Sequence, residues 1–303
     1  MKSIYFAAGC FWGAGHFFSG VDGVAAVTTG FANGNTLNPS YKEVYTDTTG
    51  FAETVKVEYN PSLVSLKELT ELFFTIIDPL SVNRQGEDEG TRYRTGVYYN
   101  TSDEELPIIK AVFDDVESRL GRPLAVELCP LRNFYSAEEY HQHYLDKNPG
   151  GYCHIPLKTF RYLRLYQDLK NLLGDESDLV ARMANTAALI HERMHFWWTG
   201  FYLVRGEQLV LGPFQGPVAC TRIAFGRGVC GTAWKERRTV VVPDVEQFPG
   251  HIACSAASRS EIVVPLLTDG TVTAVLDIDS TEVGTFDDVD ALWLEKIVFS
   301  ALQ

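Results

Sequence analysis

Apolar residues along the first half of the chain recur at two spacings in turn. Ile4, Tyr5, Phe6, Ala7 and Ala8 form a short apolar run closed by Gly9, which predicts a strand, a turn and then a helix. "AVTTGFANG" reads as a β-rich run ending in turn residues, and "TVKVEYNP" as an alternating strand stopped by Asn60-Pro61. In "SLKELTELFFTII" the positions Leu66, Leu69, Leu72, Phe73 and Ile76 make a helical stripe that Asp78-Pro79 ends. "TGVYYN" and "VELCP" are further strands. "SDEELPIIKAVFDDVESRL" is a helix entered through a Ser/Asp cap region with acidic residues in its first turn. "SAEEYHQHYLDKNPGG" predicts one more helix, stopped by Asn148-Pro149-Gly150-Gly151.

Past Lys158 the texture changes. "TFRYLRLYQDLKNLLGDESDLVARMANTAALIHERM" is helical with a break at Gly174. Five strands then follow at short spacing: "FWWTGFYLV", "EQLVLGPFQ", "TVVVPDV", "SEIVVPLLT" and "TAVLDIDS". Turns fall at Arg205-Gly206 and Asp269-Gly270, and one helix at "GVCGTAWKE". The order predicts an α+β chain of two domains. Residues 1–160 form a mixed α/β sandwich, and residues 161–303 an antiparallel sheet flanked by helices.

Composition narrows the class. With 303 residues, 46% apolar and 21% charged, there is material for two cores. A net charge of −13 repels phosphate backbones and anionic membrane surfaces, which argues against nucleic-acid or membrane partners. No apolar run approaches the ~20 residues that span a bilayer. Lys2 and the stretch after it have the look of a secretory signal, but Gly9, Gly13, Gly15, Gly20 and His16 interrupt it. It is read as part of the fold, and a cytoplasmic location is expected.

The six cysteines are Cys10, Cys129, Cys153, Cys220, Cys230 and Cys254, none in a C-x-x-C pair. That weakens a zinc site built from Cys129, Cys153, His141, His143 and His154, and no metal or organic cofactor is expected. Cys10, at a strand-to-helix turn beside Phe11 and Trp12, has the setting of a nucleophile stabilised as thiolate by a helix N-terminus. Glu53 shares a strand face with Val55 and Val57, so burial would raise its pKa and keep it protonated near neutrality. With the phenols of Tyr41 and Tyr93 it could protonate an oxygen while Cys10 attacks sulfur or carbonyl carbon. Phe11 and Trp12 would make an apolar recess suited to a methyl group, Asp88 lies in an acidic loop nearby, and Cys153 in "NPGGYCHI" is placed to resolve an oxidised Cys10.

These segments carry a resemblance. "GCFWG", "NPSYKEV", "GFAETVKVEYNP", "DPLSVNRQGEDEGTRYRTGVYY" and "FYSAEEYHQHYLDKNPGGYC" together resemble the peptide methionine sulfoxide reductase A family over residues 3–156. The resemblance implies a ferredoxin-type α/β sandwich and Cys10 as nucleophile. It implies that Glu53, Tyr41 and Tyr93 bind and protonate the sulfoxide oxygen, that Asp88 lies in the pocket wall, and that Phe11 and Trp12 surround the substrate methyl. The family acts on the S epimer, free or in protein. Phe51 stands where the family commonly has histidine, and Arg92 where it has glutamine.

In the second half, Asp277 and Asp279 lie on one face of "TAVLDIDS", with Glu261 in a neighbouring segment. Such a cluster is either a solvated face or a pocket for a cation with a shared proton. From "FWWTGFYL" to "AVLDIDS" the chain is similar to the free methionine-(R)-sulfoxide reductases, which have a GAF-type domain. This implies Cys254 and Cys220 as a nucleophile and resolving pair and Cys230 as a third redox thiol. It also implies that Glu261, Asp277 and Asp279 bind free substrate, with Trp198 and Tyr202 enclosing its methyl and sulfoxide. Ser255 stands where an aspartate is usual.

The expected function is bifunctional reduction of methionine sulfoxide, with thioredoxin or a similar dithiol as reductant. The alternative is an active first domain joined to a non-catalytic GAF ligand or redox sensor.

Overall fold

The computed structural model describes residues 1–100, 103–250 and 256–302. It divides into two units, Met1–Phe160 and Arg161–Gln303. Among the described residues, no helix is long and apolar enough to cross a membrane.

The first unit is built on β1 (Lys2–Ala8), α1 (Phe11–Ser19), β2 (Val24–Ala32), α2 (Tyr41–Val44), β3 (Ala52–Tyr59) and α3 (Leu66–Phe73). A small ribbon follows, β4 (Arg84–Gln85) with β5 (Asp88–Glu89), then β6 (Thr95–Tyr99), α4 (Glu105–Leu120), β7 (Glu127–Pro130), β8 (Phe134–Ser136) and α5 (Tyr144–Lys147). Six strands form one sheet in the order β7-β6-β1-β3-β2-β8. All its pairings are antiparallel except β6 with β7.

The two faces of this sheet follow the strand alternation. On one face, Phe6 stacks on Phe18 of α1 and Phe73 of α3, with ring centroids 4.8 and 5.2 Å away. On the other face Tyr5, Ala7, Ala32, Ala52 and Tyr98 form a cluster against Phe134, Leu131 and Cys129. Cys129 thus sits in packing at the sheet margin. Val55 lies on the α1 side, and so does Glu53 two residues earlier.

One expected element is replaced. The segment 136–151 is not a single helix: it holds a 3₁₀ turn at Glu139–His141, an extended Gln142, a left-handed His143 (φ 52°) and only then α5. The reason is the Gln142 side chain. Its Oε1 accepts from the Thr29 N–H at 3.0 Å, and its Nε2 donates to Thr29 O and Ala137 O, each at 2.9 Å. The amide thereby continues the edge of β2 where β8 ends, and helical geometry at residue 142 is given up for it.

The helix α6 (Leu157–Leu173) contains the boundary between the units. The second unit continues with α7 (Leu179–Met194), β9 (Trp198–Arg205), β10 (Gln208–Gln215), β11 (Arg222–Ala224), α8 (Gly228–Glu236) and β12 (Val240–Val242). It ends with β13 (Ser260–Thr268), β14 (Thr271–Ser280) and α9 (Asp288–Leu302). The sheet is antiparallel throughout, in the order β11-β10-β9-β14-β13-β12. Asp269 and Gly270 both take positive φ (50° and 71°), the primed turn that matches strand twist in the β13–β14 hairpin. The register pairs Glu261 with Asp279, Asp277 with Gly200 and Asp279 with Trp198. All three carboxyls therefore share the face that carries Trp198 and Tyr202 and packs against Cys230 of α8.

Candidate active sites

In the first unit the strand-to-helix turn carries the chemistry. Gly9 takes φ +76°, and a Cβ there would fall 2.6 Å from Gln85 Cβ, so the turn into α1 needs a glycine. Cys10 is the N-cap residue of α1 and is buried. The Phe11 N–H, in the first turn behind it, donates to Glu53 Oε2 at 3.0 Å. Glu53 thus satisfies one free amide of the helix end that Cys10 caps.

Burial pushes the Cys10 thiol well above its ordinary range, and Glu53, Asp88 and Cys153 push it further. The Trp12 N–H opposes this without offsetting it. The expected thiolate is therefore corrected: at rest Cys10 is a neutral thiol, because desolvation outweighs one turn of helix dipole. Burial lifts Glu53 to about 8, with the Phe11 N–H and Arg92 pulling down and Asp88 pushing up. That carboxyl is protonated at neutral pH, as its strand face implies. Burial, then Glu53, raises both Tyr41 and Tyr93, so both remain phenols.

The structure brings Cys10, Glu53, Tyr41, Tyr93, Asp88 and Cys153 into one electrostatic neighbourhood. Tyr41 is held at the start of α2, whose Ser40/Glu43 pair forms a capping box, and its N–H donates to Glu138 Oε1 at 3.0 Å. Phe11 packs on Phe31, Tyr41 and His141. Trp12 stacks on Tyr144 at 3.8 Å and donates its indole N–H to His141 Nδ1 at 3.1 Å. Cys153 lies over α1 at Gly13, where an added Cβ would come within 2.9 Å of its Sγ. Tyr152 donates to Asp88 Oδ2 at 3.0 Å, and His154 Nδ1 is 3.8 Å from the same oxygen. Burial lowers His154 to about 4, so it is neutral there.

Sequence reasoning missed Tyr144, Tyr152 and the part His141 plays beside Trp12. Each is an ordinary residue in a segment read as regular helix or loop. Phe51 is buried with its ring edge toward Tyr135 and fills the space above Gly34.

In the second unit an open cleft is lined by Trp198, Tyr202, Cys230, Glu261, Asp277 and Asp279 among others. The acidic cluster is therefore a pocket wall. Trp198 Nε1 donates to Pro217 O at 3.1 Å and Tyr202 Oη to Cys220 O at 3.0 Å, so the two aromatics hold the loop that bears Cys220. Cys220 is disulfide-bonded. Cys254 and Ser255 lie outside the described residues. Cys230 is a free, buried thiol 4.0 Å from Glu261 Oε1, and its Sγ and one oxygen each of Glu261 and Asp277 fall within 4.8 Å of one another. Burial and then the neighbouring carboxyls push Cys230, Glu261 and Asp277 far up, while Asp279 rises to about 6. Cys230 is thus a protonated floor to the pocket, a poor nucleophile in this setting.

Comparison with known proteins follows the division of the chain. Residues 2–171 match the family model for peptide methionine sulfoxide reductase, and residues 175–301 that for the GAF domain. A peptide methionine sulfoxide reductase MsrA of Clostridium acetobutylicum is 50% identical over 161 residues, 53% of this chain and 99% of that protein. GAF domain-containing protein A of Dictyostelium discoideum is 51% identical over 142 residues, 46% of this chain and 90% of that protein. A crystal structure of a free methionine-R-sulfoxide reductase from Neisseria meningitidis, solved with its substrate, is 52% identical with a TM-score of 0.46, covering 46% of this chain and 85% of that one.

Proposed function

The chain belongs to the peptide methionine sulfoxide reductase family and reduces methionine sulfoxide with a thiol reductant, and we propose that it does so at two sites of opposite stereochemistry. The N-terminal unit takes S-sulfoxides, in proteins and as the free amino acid. The C-terminal unit takes free methionine-(R)-sulfoxide.

The observation that carries the first assignment is the Glu53 carboxyl, protonated and anchored on the first turn of the helix that Cys10 caps. Glu53 gives its proton to the sulfoxide oxygen, assisted by the phenols of Tyr41 and Tyr93. The Cys10 sulfur attacks the activated substrate sulfur and passes its own proton to Glu53. The oxygen moves to Cys10, so one thiol and one sulfoxide become one sulfenic acid and one methionine. The Cys153 thiol then attacks the sulfenic sulfur, releasing water and leaving a Cys10–Cys153 disulfide. An external dithiol such as thioredoxin restores both thiols and becomes a disulfide itself. Phe11 and Trp12 exclude water around the methyl group, and Asp88 anchors the segment that brings Cys153.

In the C-terminal unit, Cys254 is proposed as nucleophile and Cys220 as its resolving partner, in the same two-step cycle. The carboxyls of Glu261, Asp277 and Asp279 suit the ammonium group that only a free amino acid presents. Trp198 and Tyr202 close the side-chain end.

The test gives racemic free methionine sulfoxide and dithiothreitol to the intact protein and resolves the remaining epimers by chiral chromatography. Loss of both epimers is expected, with Cys10→Ser sparing only S and Cys254→Ser sparing only R. Loss of S alone would leave the C-terminal unit as a sensor. Undiminished S turnover in Cys10→Ser would overturn the first assignment.

A further inference from the structure

Arg92 is not used by this cycle, yet its surroundings are those of a built part of the site. Its side chain is 10% exposed. The guanidinium carbon lies 4.2 Å from the ring centroid of Tyr45 and 4.4 Å from that of Tyr93, so the cation is sandwiched between two aromatic faces. Asp47 fixes it from the side: Oδ2 accepts from Arg92 Nη1, and Oδ1 accepts from the Arg92 backbone N–H at 3.0 Å and from Thr91 Oγ1 at 3.1 Å. One carboxylate thereby locks both the side chain and the 3₁₀ turn Thr91–Tyr93 that presents Tyr93. Arg92 Nε is buried and makes no hydrogen bond. A cation held this firmly beside a proton donor's ring differs from a surface arginine answering a surface carboxylate.

We propose that Arg92 is a positioning residue of the N-terminal site, aiming the Tyr93 hydroxyl and carrying a positive charge into the neighbourhood of the Glu53 carboxyl. The inference rests on the proposed role of Glu53 as proton donor. Glu53 is faced by Cys10 at the start of α1, Tyr41 on α2, Asp88 on β5, and Arg92 and Tyr93 on the turn before β6. Among the described residues of that ring Arg92 carries the positive charge, and it opposes burial and Asp88 in setting how tightly Glu53 holds its proton. The guanidinium also lies over the Tyr93 ring at 4.4 Å, which favours the charge that phenol develops as it donates. Lysine would keep the charge and lose the planar sandwich.

The experiment has two readouts. The Glu53 carboxyl is titrated directly by carbon-13 NMR of glutamate-labelled protein, its signal assigned by its loss in Glu53→Gln. In parallel, kcat/KM for the free S-sulfoxide is measured against pH. Arg92→Gln is expected to move the Glu53 midpoint upward by about half a pH unit or more. The alkaline limb of kcat/KM should move with it, and the plateau should fall. Arg92→Lys should restore the midpoint without restoring the full plateau. Asp47→Asn leaves the guanidinium without its counter-charge and should move the midpoint downward, which keeps the proposal testable if Arg92→Gln distorts the turn. An unmoved Glu53 midpoint in both Arg92→Gln and Asp47→Asn would overturn it, as would a uniform loss of activity at every pH. A midpoint that moves while the kinetic limb stays fixed would instead remove Glu53 from the role of proton donor.

Discussion

Phe11 and Glu53 are 42 residues apart in the chain, and the N–H of the first donates to Oε2 of the second at 3.0 Å. The proposed proton donor is thereby fixed to the same helix end as the proposed nucleophile, Cys10. Rotation of the Glu53 side chain away would cost the buried Phe11 N–H this partner.

This pairing sets the pH dependence of the first site. With Glu53 as the proposed acid, activity should be present while it is protonated and be lost as pH rises through about 8. Steady-state kcat/KM for the S epimer should be level near neutrality and fall about tenfold per pH unit well above that value. Glu53→Gln keeps the volume and loses the proton, and should cost roughly 10²–10⁴-fold in methionine release. A profile unchanged by that substitution would mean that the oxygen is protonated by another group.

Recycling should separate from chemistry at Cys153. Cys153→Ser is expected to release one methionine per chain from S-sulfoxide and then stall with thioredoxin as reductant. Gly13→Val places carbon 2.9 Å from Cys153 Sγ and 3.1 Å from Ile155 Cδ1, so the resolving thiol must move. Rapid quench should find the first turnover little changed and disulfide formation slowed by about tenfold or more. Equal loss in both phases would mean that Gly13 matters to the pocket itself.

The C-terminal carboxyls should trade stability for binding. Their folded pKa values are raised, so their contribution is complete below the unfolded value of about 4. It is lost as pH rises through the folded values, about 6 for Asp279 and, for Glu261 and Asp277, well above the usual carboxylate range because of burial and the neighbouring carboxyls. Asp277→Asn and Asp279→Asn should therefore gain thermal stability relative to the parent chain as pH goes from 5 to 8, measured by calorimetry. Both should lose turnover of the free R epimer. A constant difference across that range would indicate that the carboxyls reach water.

Much of this was legible from spacing. The strand of Ile4–Ala8, the helix after Cys10 and the stripe from Leu66 obey local periodicity, and the structure has them there. Glu53 could be placed on an apolar face by counting twos along "ETVKVEY". The segment 136–151 could not be read that way, because Gln142 bonds to Thr29, 113 residues earlier, and a long-range partner leaves no mark on local pattern. Sequence also misjudged the state of Cys10. A helix N-terminus is visible in "GCFWG", but the burial that outweighs it comes from strands and loops far along the chain. The acidic trio was ambiguous between wall and surface until the register set Asp277 opposite Gly200 and Asp279 opposite Trp198.

The neutral resting state of Cys10 has a consequence for survival of the protein itself. Peroxide oxidises thiolates far faster than thiols. Where peroxide is present, a standing thiolate would be spent on the oxidant before meeting a damaged substrate. In the proposed cycle the sulfur becomes reactive only in concert with Glu53 and a bound sulfoxide, which would leave the tool blunt toward the agent that causes the damage and sharp toward the damage.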